Sequence, residues 1–77
     1  MTMAVLETQR EALKMAHNAR FIKDGMEFKI AYEGGIAECF GVYGRPIGAR
    51  DFKYVTGFVG YKMYNKEQVI AMAKNMV

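Results

Sequence analysis

A general base in this chain would have to be His17, the single histidine, and a thiol nucleophile would have to be Cys39, the single cysteine. Proton transfer needs a nucleophile or an orienting carboxylate within reach of the base. His17 is flanked by Arg10, Lys14 and Arg20, and the nearest acids, Glu11 and Asp24, are not at facing helical spacing to it. The spacing therefore makes His17 an ordinary surface residue. Cys39 stands between Glu38 and Phe40 in an apolar run, where a lone cysteine acts as a small buried hydrophobe. Neither a basic neighbour nor a helix start is at hand to lower its pKa. The eight carboxylates are scattered; Glu33 and Glu38 flank a hairpin, yet no pair forms an acid–base dyad. Gly41-Val42-Tyr43-Gly44 and Gly57-Phe58-Val59-Gly60 lack the strand–loop–helix setting and the Lys-Ser/Thr of a phosphate cradle. One Cys and one His can build neither an internal disulfide nor a four-ligand zinc site. The expectation is a chain without catalysis, cofactor or metal.

Residues suited to binding are better represented. Tyr32, Tyr43, Tyr54, Tyr61 and Tyr64 all fall in the middle of the chain. Tyrosine joins a large apolar body to a polar tip, which suits half-exposed positions and interface hot spots. Arg45 and Arg50 flank a turn beside them, with Lys53 and Lys62 further on. Arginine is enriched at interfaces. The expected partner-binding set is Tyr32, Tyr43, Arg45, Arg50 and Tyr54. A second set, Arg10, Lys14, His17 and Arg20, forms a loose basic stripe that Glu7 and Glu11 offset at helical spacing.

These residues are carried by a single domain spanning 1–77. A chain this short buries only about 60% of the surface its unfolded form exposes. An apolar fraction of 52% nevertheless argues against disorder. The charge of +3 comes from interspersed residues of both signs, a weaker footprint than a dedicated nucleic-acid binder shows. The start, Met1-Thr2-Met3-Ala4-Val5-Leu6-Glu7, has no basic segment before its apolar run, and no run approaches a membrane span. The expected location is the cytoplasm.

Nine of ten aromatics and seven of eight glycines lie between Phe28 and Tyr64, so the chain divides into helix, aromatic β region and helix. The spacing of Val5, Ala12, Met15, Ala16, Ala19 and Ile22 predicts a helix over about Met3–Lys23, with Thr8-Gln9-Arg10-Glu11 in capping-box form and Asp24-Gly25 as the stop. Met26–Tyr32 alternates as a strand with Met26, Phe28, Ile30 and Tyr32 on one face. Gly34-Gly35 suits a two-residue hairpin turn into a second strand, Ile36–Tyr43. Pro46 ends that strand's reach, and a third strand follows over about Asp51–Val59, where Gly57 and Gly60 mark a bulge or a close backbone approach. Asn65, with Gln68 three residues on, starts the last helix. The fold expected is α+β in two layers: a three-stranded antiparallel sheet with both helices on one face, ordered α-β-β-β-α. Its other face stays open to solvent, a partner or a second copy.

Ile30-Ala31-Tyr32-Glu33-Gly34-Gly35 together with Ile47-Gly48-Ala49-Arg50-Asp51-Phe52 resembles part of a small type I-F anti-CRISPR family, which has a Tyr-Glu-x-Gly hairpin and a Gly-Ala-Arg-Asp-Phe segment. The resemblance spans about a dozen residues in two parts. It implies that Tyr32 lies on a surface contacting a bacterial defence complex. The element order is similar to that of a double-stranded-RNA-binding domain, and Lys66 falls where that family carries a lysine cluster. The family's Gly-Pro-x-His loop is absent.

The leading expectation is a non-enzymatic binding protein that inhibits or modulates a larger protein target, most concretely a phage or mobile-element anti-defence protein. The alternative is a nucleic-acid module using Arg10, Lys14, Arg20 and Lys66 on phosphates.

Overall fold

The computed structural model describes residues 3–77. Its elements are α1 (Met3–Lys14), β1 (Arg20–Lys23), β2 (Met26–Gly34), β3 (Cys39–Pro46), β4 (Lys53–Val59) and α2 (Lys66–Met76). The α+β class and the antiparallel sheet are as expected, but the sheet has four strands, in the order β1-β2-β3-β4.

The extra strand replaces the second half of the expected first helix, which ends at Lys14. Asn18 takes a left-handed conformation at φ 69 and turns the chain. Its amide donates to the Ile30 carbonyl, and the Ile30 amide donates to the Ala19 carbonyl. These two bonds lead the chain into β1, which pairs with β2 through Phe21 opposite Phe28. The two rings stack at 5.1 Å. Asp24 and Gly25 both have positive φ, 52 and 77, the requirement of a tight two-residue hairpin. They join two strands and do not stop a helix. Thr8-Gln9-Arg10-Glu11 lies inside α1 and does not begin it. Val5, expected on the apolar stripe, lies outside the described side chains.

The second hairpin is wider than a two-residue turn. Gly34, Gly35 and Glu38 all have positive φ, and Ile36 at the tip is 98% exposed. β3 therefore begins at Cys39, three residues later than expected. Pro46 is its last residue, and the strand before it is fully paired with β2. β4 carries a bulge at Val55, because Thr56 pairs with Val42 and Tyr54 with Tyr43. Gly57 and Gly60 are the close approaches. A Cβ on Gly60 would stand 2.7 Å from the Phe40 ring and 3.0 Å from the Glu38 carbonyl.

Strand alternation sends Phe28, Ile30, Phe40 and Val42 to one face, where they pack with Leu13 and Ala16 from the α1 end and Val69 and Ala73 from α2. This layer is the core. Phe40 stacks on Phe58 at 5.4 Å and meets Tyr32 edge-on at 5.4 Å. α2 is capped as expected: the Asn65 side chain accepts from the Gln68 amide. At its other end Lys23 donates to the carbonyls of Lys74 and Val77, placing a cation on the negative end of the helix dipole. Gln9 donates to the carbonyls of Tyr61 and Met63, fixing the β4–α2 connection to α1.

One polar knot lies in this layer. Glu38 stands just before β3 with a positive φ of 54, and its side chain turns inward and is only 6% exposed. The Tyr32 hydroxyl donates to its Oε2 at 2.6 Å and Arg10 donates to its Oε1 at 2.8 Å. The hydrogen bond to Glu38, helped by burial and the carboxylate charge and partly offset by Arg10, raises the Tyr32 pKa. Glu38→Ala should cost about 1.5–3 kcal/mol, the range for hydrogen bonds to a charged group. Glu33→Ala, at an exposed position on the same hairpin, should stay within about 0.5 kcal/mol. Urea midpoints compare the two, and equal losses would contradict this reading of Glu38.

Candidate functional site

The face of the sheet away from the helices is built by the other half of the alternation. Arg20 pairs with Lys29, Lys29 with Tyr43 and Tyr43 with Tyr54, so one row crosses all four strands. Its β1–β2 half is basic and its β3–β4 half is aromatic. The next row is Ala31, Gly41 and Gly57. These residues hardly rise above the backbone, and the tyrosines lean over them. A Cβ on Gly57 would lie 2.8 Å from the Tyr54 hydroxyl, and one on Gly41 would lie 3.1 Å from the Tyr43 ring. The rings meet edge-to-face at 5.6 Å, and Tyr54 remains 61% exposed.

The β3–β4 connection folds back beside the basic half. Phe52, just before β4, lies with its ring centroid 4.1 Å from the Arg45 guanidinium, 4.9 Å from the Lys29 ammonium and 5.2 Å from the Arg20 guanidinium. Glu27 answers two of these cations. It accepts from Arg45 Nη2 at 2.7 Å and Nε at 2.9 Å, and from Arg20 Nη1 at 3.3 Å. Arg45 also donates to the Arg50 carbonyl at 2.9 Å, tying the connection down. Among the described residues Lys29 has no ion pair.

The hydrogen bond from Arg45 holds the Glu27 carboxyl below its ordinary pKa; burial opposes the shift, and Arg20 and both positive charges add to it. A carboxyl with a lowered folded pKa stabilises the fold above its unfolded value, and the contribution is lost as pH falls through the folded value. The stability difference between the wild type and Glu27→Gln should therefore be present at neutral pH, begin to shrink near the ordinary glutamate value of about 4.3, and be lost as pH falls through the lowered folded value. Urea midpoints against pH would show this, and a difference that persisted undiminished in acid would contradict it.

The expected partner-binding residues divide. Tyr43, Arg45 and Tyr54 come together on this face. The Arg50 side chain is exposed at its margin, with its carbonyl bound to Arg45. Tyr32 is on the opposite, helix-covered face, bound to Glu38. The alternative set does not share one surface: Arg20 is on the open face, Arg10 is turned onto Glu38, and Lys14 and Lys66 belong to the helices. Glu33 and Glu38 point to opposite faces. His17 has a structural bond, its Nδ1 accepting from the Tyr32 amide at 2.9 Å beyond the end of β1. Lys29, Phe52 and the Ala31–Gly41–Gly57 row did not stand out in the sequence. The strict alternation of Glu27-Lys29-Ala31-Glu33 against Phe28-Ile30-Tyr32 was the signal that could have placed Lys29.

Among the described residues no group of three or more His, Cys, Asp or Glu side chains could hold a metal ion, and no helix is long and apolar enough to cross a membrane. Comparison with protein-family models, curated proteins and solved structures finds no match to this chain.

Proposed function

We propose that this chain is a small non-enzymatic binding protein that inhibits or modulates a larger protein target, and that it docks through the open sheet face. The observation that supports this is the row Arg20–Lys29–Tyr43–Tyr54, which sets exposed aromatic surface beside fixed cations on a rigid sheet. Tyrosine and arginine dominate the residues whose truncation weakens protein interfaces most. The face carries both signs of charge, since Glu27 and Glu33 share it with the cations. A groove tracking phosphates would favour an unbroken positive lining. The most concrete form of the proposal is a phage or mobile-element anti-defence protein acting on a bacterial defence complex in the host cytoplasm.

Affinity capture from bacterial lysate, with and without nuclease, tests it. A stoichiometric protein recovered in both conditions by the wild type, and lost with the Tyr43→Ala/Tyr54→Ala variant, is the expected result. Recovery that depends on intact nucleic acid would overturn it.

A further inference from the structure

We infer that the partner presents an acidic, extended segment whose carboxylate sits on Lys29 and Arg20 while an apolar side chain of the same segment covers Tyr54. This inference rests on the docking face proposed above and names the chemistry it takes.

The sheet breaks a local rule of strand pairing at one place. Like charges directly opposite on antiparallel strands repel. Arg20 and Lys29 are such a pair, and Arg45 adds a third cation around the same Phe52 ring. One carboxylate, Glu27, is present against these three cations. It is held by Arg45 through two nitrogens and by Arg20 through one longer contact. The residual charge is therefore positive and is concentrated at Lys29 and the outer part of Arg20, whose side chain is 50% exposed. Phe52 offsets part of the repulsion through its ring quadrupole but carries no charge. An incoming anion would complete the group.

The same row fixes what else the anion's carrier must provide. Lys29 and Tyr54 are two strands apart, which is about 10 Å at the usual inter-strand spacing. An extended chain covers that distance in about three residues. Beside them the row of Ala31, Gly41 and Gly57 raises no large side chain of its own, and the Tyr43 and Tyr54 side chains lie over its glycines as the apolar surface the segment would meet. The segment chemistry is thus one or two carboxylates about three residues from a leucine or phenylalanine.

The test uses the intact protein and three probes: a short synthetic peptide with two adjacent glutamates about three residues before a phenylalanine, the same peptide with glutamines for glutamates, and oligothymidylate. Amide NMR titrations read the site. The glutamate peptide should shift Arg20, Lys29, Phe52 and Tyr54, and the glutamine peptide should bind at least tenfold more weakly. Lys29→Ala should reduce the glutamate peptide's affinity to that of the glutamine peptide. Equal binding of the two peptides, shifts elsewhere or no shifts would overturn the inference, and tighter binding of oligothymidylate at the same residues would assign the face to single-stranded nucleic acid. Lysate capture that succeeds and depends on Tyr43 and Tyr54, while the peptides fail, would leave the docking face intact and remove only the acidic segment.

Discussion

Phe40→Ala should cause the largest stability loss of any single truncation in the core of this domain. Phe40 is 1% exposed and is the largest fully buried side chain. Truncating a buried phenylalanine to alanine costs about 3–5 kcal/mol, part lost burial and part the cavity left behind. The cavity here is poorly placed to collapse. One wall is the backbone of Gly60, which has no side chain to move in, and two others are Phe58 and Tyr32, held by the sheet and by Glu38. A domain of this size has roughly 4–12 kcal/mol in all at the usual stability per residue. Chemical denaturation should show the variant partly unfolded without denaturant or shifted to a far lower midpoint. A loss below about 1 kcal/mol would mean that the Phe40 ring is not the centre of the core.

The second large effect concerns binding and should leave the fold in place. Tyr43→Ala/Tyr54→Ala removes the aromatic half of the open-face row. Neither ring belongs to the buried cluster. The fold should lose only the edge-to-face pair, about 0.5–1.5 kcal/mol, and the cover over Gly41 and Gly57. Each hot-spot truncation at a protein interface costs about 2 kcal/mol or more. Truncations of touching rings do not add in full, so at tenfold in affinity for each 1.4 kcal/mol the pair should weaken partner binding by about a hundredfold or more. Tyr32→Phe is the informative contrast. Its hydroxyl serves Glu38 on the helix side, so the change should lower stability and leave partner affinity nearly unchanged.

The sequence made some of this arrangement readable and hid the rest for physical reasons. β2 was legible because the seven residues Met26–Tyr32 alternate and one face is buried, the register breaking only between Tyr32 and Gly34. α2 was legible because Asn65 is a strong cap placed before an apolar stripe. β1 was not, because four residues are too few to display alternation and Ala16, Ala19 and Ile22 also fit a helical period. Ile22 is in fact 68% exposed on the open face. Asp24-Gly25 fits both readings, since the left-handed geometry that ends a helix also closes a tight hairpin. Tyr43, Arg45 and Tyr54 could be grouped as candidates from residue type alone, and all three lie on the open face. The alternation that puts Tyr32 in phase with Phe28 and Ile30 already pointed it to the core face; its bond to Glu38 was hidden, because that depends on Glu38 turning inward at a positive φ of 54. The three-cation group around Phe52 depends on a loop folding back over the sheet, which no local pattern announces.

The most direct test of the open-face account is the affinity of the nuclease-resistant captured protein for the wild type and for Tyr43→Ala/Tyr54→Ala, with urea midpoints taken on the same samples. A hundredfold or greater loss of affinity is expected, in a variant that still folds cooperatively. Unchanged affinity in a folded variant would contradict it and move the docking surface off this face of the sheet.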